Sequence, residues 1–174
     1  MIEHEIIKNF LIILNRLSDR MLKGEYVDAK YLMHVDEFIS IFIIRNHHHK
    51  EEDILFKYVI DKGFPHEAGP LNVLTNEHRL FRESFDNLRD LIGRYIEGDL
   101  GISREIAKVI KNIGELLEPH IRKEEAVLFP ILSNLLSRDD NDRIQAMFRD
   151  IDREILDKNI DRIRDILNNI LTIK

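Results

Sequence analysis

At 174 residues, 44% of them hydrophobic and 33% charged, with seven glycines and four prolines, the chain fits one helical domain large enough to bury its own core. The absence of cysteine excludes disulfides, thiolate metal sites and iron–sulfur clusters, and is compatible with the expected cytoplasmic location. A net charge of −6 offers no basic face, and the apolar run Ile6 to Leu17 is broken by Lys8, Asn9, Asn15 and Arg16, well short of the ~20 residues of a span, so neither nucleic acid nor membrane is an expected partner.

The first helix is predicted from Ile2 to about Leu22, with His4, Ile7, Leu11, Leu14, Ser18 and Met21 on one seam and Gly24 as the stop. A second runs from about Asp28 to Ile60, carrying the seam Ile44, His47, Glu51, Ile54 and Tyr58, and Gly63 and Pro65 end it. Pro70 suits the first turn of a third helix, whose seam is Leu71, Leu74, His78, Phe81, Phe85, Leu88, Ile92 and Tyr95. One polar residue, His78, interrupts that line of large apolar ones.

Ser103 is a good N-cap for a fourth helix with the seam Ile110, Ile113, Leu117, His120, Glu124, Val127 and Ile131. Pro119 inside it predicts a local bend next to His120. Ser137 to Asn141 reads as a polar loop, and Asp142 to about Leu171 as a fifth amphipathic helix carrying Ile144, Met147, Phe148, Ile151, Ile155, Ile160, Ile163 and Ile166. That helix has no histidine and is expected to act as a cover or an interface.

Two stretches echo each other. His47 to Lys57 reads HHHKEEDILFK and His120 to Pro130 reads HIRKEEAVLFP, so that His47 matches His120 and Glu51-Glu52 match Glu124-Glu125. Glu3-His4 precedes the first copy and Glu77-His78 the second, at 43 and 42 residues from histidine to histidine. The chain is therefore one unit written twice.

Residues four apart share a helix face, so His47 with Glu51, and His120 with Glu124, each present a nitrogen beside an oxygen. Short connections make neighbouring helices antiparallel, which lets four helices aim His4, His47, Glu51, His78, His120 and Glu124 at one level of the core. Two buried glutamates demand cations, because desolvating each costs several kcal/mol, and neutral imidazoles carry no charge. Metal ions meet the demand. Mixed imidazole and carboxylate donors favour iron or manganese, with zinc also able to bind, and two carboxylates that can each bridge suit a pair of ions.

A lone core histidine is more often hydrogen-bonded than a ligand, and Lys50, Glu52 and Glu125 read most simply as a solvated face. It is the coincidence of four seam histidines, two glutamates at i+4 and a repeated spacing that points to metal. A slip by one residue to His48 and Glu52 stays open at this stage, while His34 and His66 break the repeat. Two other patterns fail: no histidine has a glutamate three residues before it, as ferritin-like di-iron sites require, and His66-Glu67 lacks the second histidine of a zincin.

With EH at Glu3-His4, HHHKEEDILF at His47 to Phe56, GPLNVLTNEHRLFRES at Gly69 to Ser84 and HIRKEEAVLFP at His120 to Pro130, the chain resembles the hemerythrin-like HHE cation-binding family. The resemblance implies an all-α fold: an up-down four-helix bundle over residues 1–137, with an additional C-terminal helix over 138–174 packed on the same domain. It implies a non-haem di-iron centre held by His4, His47, Glu51, His78, His120 and Glu124, the two glutamates bridging. Oxygen-carrying hemerythrins have a second histidine where this chain has Arg82, and an aspartate five residues after the last histidine where this chain has Glu124 at four. The set of four histidines and two glutamates is instead similar to other members of the family.

The expected function is binding or sensing of a small ligand, dioxygen, nitric oxide or peroxide, at the metal pair. The alternatives are an enzyme on the same centre, in peroxide or iron detoxification, iron storage or repair of iron centres, and a metal-free helical interaction module.

Overall fold

The computed structural model describes residues 2–171, which form five long helices joined by short turns. Helix α1 spans Ile2–Leu22, α2 spans 29–61, α3 spans Pro70–Ile96, α4 spans 103–135 and α5 spans 138–171, with a single 3-10 turn, Leu100–Ile102, before α4. Asp28 caps α2 by accepting from the backbone N–H of Lys30. Gly24 closes α1 with φ +80°: its own N–H bonds Met21, and that of Glu25 reaches back to Arg20, a turn only a glycine makes without strain.

Partner helices run in opposite directions. His4 meets Glu125, and Ser18 near the other end of α1 donates to the Ala107 carbonyl at 2.8 Å. Likewise Glu52 on α2 meets His78 on α3, while Asp36 meets Arg89 and the Val27 carbonyl just before α2 meets the Tyr95 hydroxyl.

The seams predicted for α1 and α3 are buried along their whole length. Those of α2 and α4 are not, because each contains turns of π-helix: Ile39–His48 and Lys50–Phe56 in α2, and Glu124–Leu128 in α4. A π-turn holds one residue more than an α-turn, so the buried face slips by one position. After Glu124 the buried residues are Leu128 and Leu132, not the expected Val127 and Ile131, which are exposed. In α2 the buried line runs His47, Glu51, Leu55 and Val59, leaving Ile54 and Tyr58 half-buried. Helix α4 continues as α-helix through Pro119, and its irregular turn comes at Glu124, just ahead of Pro130.

Helix α5 begins four residues earlier than expected. The segment 137–141 is a helix start and not a loop: the Ser137 side chain accepts from the Asp140 N–H while the Asp140 carboxylate accepts from the Ser137 N–H. Of its predicted seam, Ile144, Ile155, Ile163 and Ile166 are buried, whereas Ile160 is exposed.

Two apolar cores result. The larger gathers Phe10, Phe38, Phe42, Phe81 and Phe85 with Ile163 and Ile166 of α5. The smaller gathers Phe56, Val59, Leu71, Leu74, Leu128, Leu132 and Ile144. On α2, α3 and α4 residues Asn46, His47, His48, Glu51, His78, His120 and Glu124 fall between the two cores, so their polar side chains are sealed on both sides. Among the described residues no helix is long and apolar enough to cross a membrane.

Candidate metal centre

All six residues singled out by the repeat meet in that sealed layer, each at most 2% exposed. The Nε2 atom of His4 lies 3.1 Å from Oε2 of Glu124, and that of His47 lies 3.5 Å from Oε1 of Glu51. On the other side, Nε2 of His78 is 3.4 Å from Oε2 of Glu51 and Nε2 of His120 is 3.3 Å from Oε1 of Glu124. Each carboxylate thus turns one oxygen toward the His4 and His47 pair and the other toward the His78 and His120 pair. Two four-residue sets share both glutamates, and within each set the donor atoms lie within 4.8 Å of one another.

A second ring of carboxylates backs the imidazoles. Nδ1 of His47 donates to Glu3 at 3.0 Å, Nδ1 of His120 to Glu77 at 3.0 Å, Nδ1 of His78 to Glu52 at 2.7 Å, and Nδ1 of His4 to Glu125 at 3.0 Å. Each of these glutamates also pairs with a cation: Glu3 with Lys50 at 2.5 Å, Glu77 with Lys123, Glu52 with Arg82 at 2.6 Å and Glu125 with Lys8 at 2.9 Å. Glu52, Glu125 and Lys50 are therefore not a solvated face. Lys50 is 2% exposed and also reaches Asp152 of α5. The repeat carried the signal, since Glu3 and Glu77, Lys50 and Lys123, Glu52 and Glu125, and Lys8 and Arg82 stand at matching places in the two halves.

This outer ring fixes the imidazole tautomers. An ionised carboxylate can only accept, so Nδ1 carries a proton in all four histidines, and in the neutral imidazole, the form that binds metal, Nε2 is left as a bare lone pair. Nε2 of His78 and Nε2 of His120 then face each other at 3.0 Å with no proton to share. Nε2 of His4 and of His47 and all four oxygens of Glu51 and Glu124 are buried without a hydrogen-bond partner. Eight lone-pair-bearing atoms aimed inward would be untenable in a dry interior, but eight donors in two sets are what a pair of cations requires. The residues fit metal.

Charge tells the same story. Burial and the neighbouring Glu124 carboxylate push Glu51 well above the usual carboxylate range, while Glu124 is penalised by burial yet, with no metal present, held below it by His120, whose own imidazole is lowered by burial but raised further by Glu124. Without a cation the two cannot both ionise. Burial also penalises a charged Glu3, but His47 and Lys50 outweigh it and hold Glu3 down at about 2.

Glu52, the partner of His48 in the alternative pairing, turns to Nδ1 of His78. His48 itself is buried against His78, a position its sequence gave no reason to prefer. His34 is half-buried, His49 binds Asp53 at the surface and His66 is exposed.

A sequence model described as the hemerythrin HHE cation binding domain matches residues 1–132. Zinc finger protein BRUTUS of Arabidopsis thaliana is 26% identical over 129 residues, which is 74% of this chain and 10% of that protein. The chain thus spans about a tenth of the length of that relative. No solved structure matches the chain significantly.

Proposed function

The chain belongs to the hemerythrin HHE cation-binding family, and from that premise we propose that it is a non-haem di-iron protein that binds or senses a small ligand, dioxygen, nitric oxide or peroxide. One ion would be held by His4 and His47, the other by His78 and His120, with Glu51 and Glu124 offering an oxygen to each. The reading includes an up-down four-helix bundle over residues 1–137 with the C-terminal helix of 138–174 packed on it. The observation that carries it is the aim of the two glutamates, each with one oxygen toward each histidine pair.

Iron is preferred to manganese or zinc because the donors are mixed imidazole and carboxylate and the proposed ligand is redox-active. When bound, the pair supplies open coordination positions and electrons to such a ligand. The chain's own part is to keep the Nδ1 protons in place through Glu3, Glu52, Glu77 and Glu125, which orients each Nε2 and raises its basicity. The two apolar cores exclude bulk water from above and below.

Protein produced with iron should contain two irons per chain, and its iron absorption should change reversibly on anaerobic reduction followed by air or nitric oxide. A metal-free protein indifferent to chelator would overturn the reading in favour of a helical interaction module. Turnover of peroxide or ferrous iron well above that of free iron would make the centre an enzyme.

A further inference from the structure

Five buried histidines converge on the site, not four. His48 is 1% exposed, and its ring stacks on that of His78 at 3.9 Å and 19°. A nitrogen of His48 lies within 4.8 Å of nitrogens of both His78 and His120. Neither ring nitrogen of His48 has a hydrogen-bond partner. An imidazole carries one N–H and one lone pair, so burying both unpaired is unfavourable unless something else takes the lone pair.

The helix explains how consecutive histidines reach different places. Glu51 lies one turn beyond both His47 and His48. His47 packs edge-on to His4 at 5.1 Å, whereas His48 lies against His78. The two therefore flank the bridging glutamate, one toward each metal position. We propose that His48 is a fifth imidazole ligand, serving the position bounded by His78 and His120 and leaving the His4 and His47 position with two imidazoles.

This rests on the two-metal reading above and makes the pair unequal. His48 differs from the other four in having no carboxylate behind it, so it is the least firmly oriented ligand. It also lines an open cleft of about 420 Å³ together with Arg45, Glu52, Arg82 and Ile155. None of His4, His47, Glu51, His78, His120 and Glu124 lines that cleft, so a small ligand arriving through it reaches the centre past His48, which makes His48 the ligand to be displaced.

The test compares iron-57-loaded wild type with His48→Ala and, should that variant fold poorly, His48→Gln, each checked for helicity. Expected are two unequal iron signals in the Mössbauer spectrum of the wild type. In either variant the two signals converge and one iron is bound at least about tenfold more weakly in chelator competition; added imidazole restores the wild-type spectrum of His48→Ala. If a variant binds both irons with wild-type affinity and an unchanged spectrum, His48 is no ligand, while the two-metal reading survives. Wild type that takes up fewer than two irons overturns both.

Discussion

Glu77 accepts a hydrogen bond from Nδ1 of His120 at 3.0 Å from the neighbouring helix, and the same carboxylate is gripped by Lys123 one turn beyond His120. This contact sets a tautomer and so decides which nitrogen faces the interior. Removing it in Glu77→Ala should weaken metal binding by about 10–100-fold without unfolding the protein. Competition with a coloured chelator measures it. An affinity equal to wild type would mean that His120 holds its orientation by packing alone.

Glu51→Gln should change sign with metal. In chelator-treated protein the substitution removes the cost of holding a buried acid protonated beside Glu124, and stability should rise by about 1–3 kcal/mol, or roughly 2–4 °C in melting temperature per kcal/mol. In iron-loaded protein it removes a bridging oxygen, so the variant should retain less metal and melt below wild type. Paired melting curves with and without chelator decide. A variant less stable in both states would contradict the charge argument.

Acid should act in two stages. Binding needs neutral imidazole and ionised carboxylate, so metal should leave as pH falls through about 6. In the metal-free protein, Glu3 is held at about 2 against an ordinary 4.5. A carboxylate lowered on folding contributes stability that is fully present above 4.5 and lost as pH falls from there toward 2. Glu3→Gln should flatten that part of the stability profile, read by chemical unfolding at stepped pH. A slope identical to wild type would remove Glu3 from the account.

Phe38→Ala should cost about 3–5 kcal/mol, since the ring is fully buried and stacks on Phe10 at 4.2 Å and Phe42 at 5.0 Å. It lies in the larger core, away from the polar layer, so iron content per folded chain should stay at two. Loss of iron in step with stability would tie the two regions together.

Ile166→Ala tests the last helix. Ile166 is fully buried in the larger core, and truncating it should cost about 2–5 kcal/mol in a single cooperative transition. A separate early transition would show α5 unfolding on its own.

Helices α1 and α3 were legible because their apolar residues keep an unbroken 3.6-residue phase over the whole seam. Phase failed in α2 and α4 for one reason. A wide turn leaves no mark in composition, yet it moves the buried face from Val127 and Ile131 to Leu128 and Leu132. The six inward donors were legible because the repeat copies them. Their carboxylate backing was not, since Glu52 and Glu125 look like any charged helix surface until the partner helix supplies His78 and His4. His48 was hidden by its neighbour: the repeat aligns His47 with His120 and the seam runs through His47, so spacing selects one histidine of the three where the fold buries two.

Glu3 and Glu77 each support a histidine from their own half of the repeat, whereas Glu52 and Glu125 each support one from the opposite half. Neither half is self-sufficient. His4 and His47 come from the first half, but the second carboxylate oxygen beside them and the acid behind His4 come from the other. A lone half would reach the same arrangement only against a second copy of itself, by an association that dilution undoes. Joining the halves through the short turn between α2 and α3 converts that encounter into a permanent intramolecular one, at a fixed and very high local concentration.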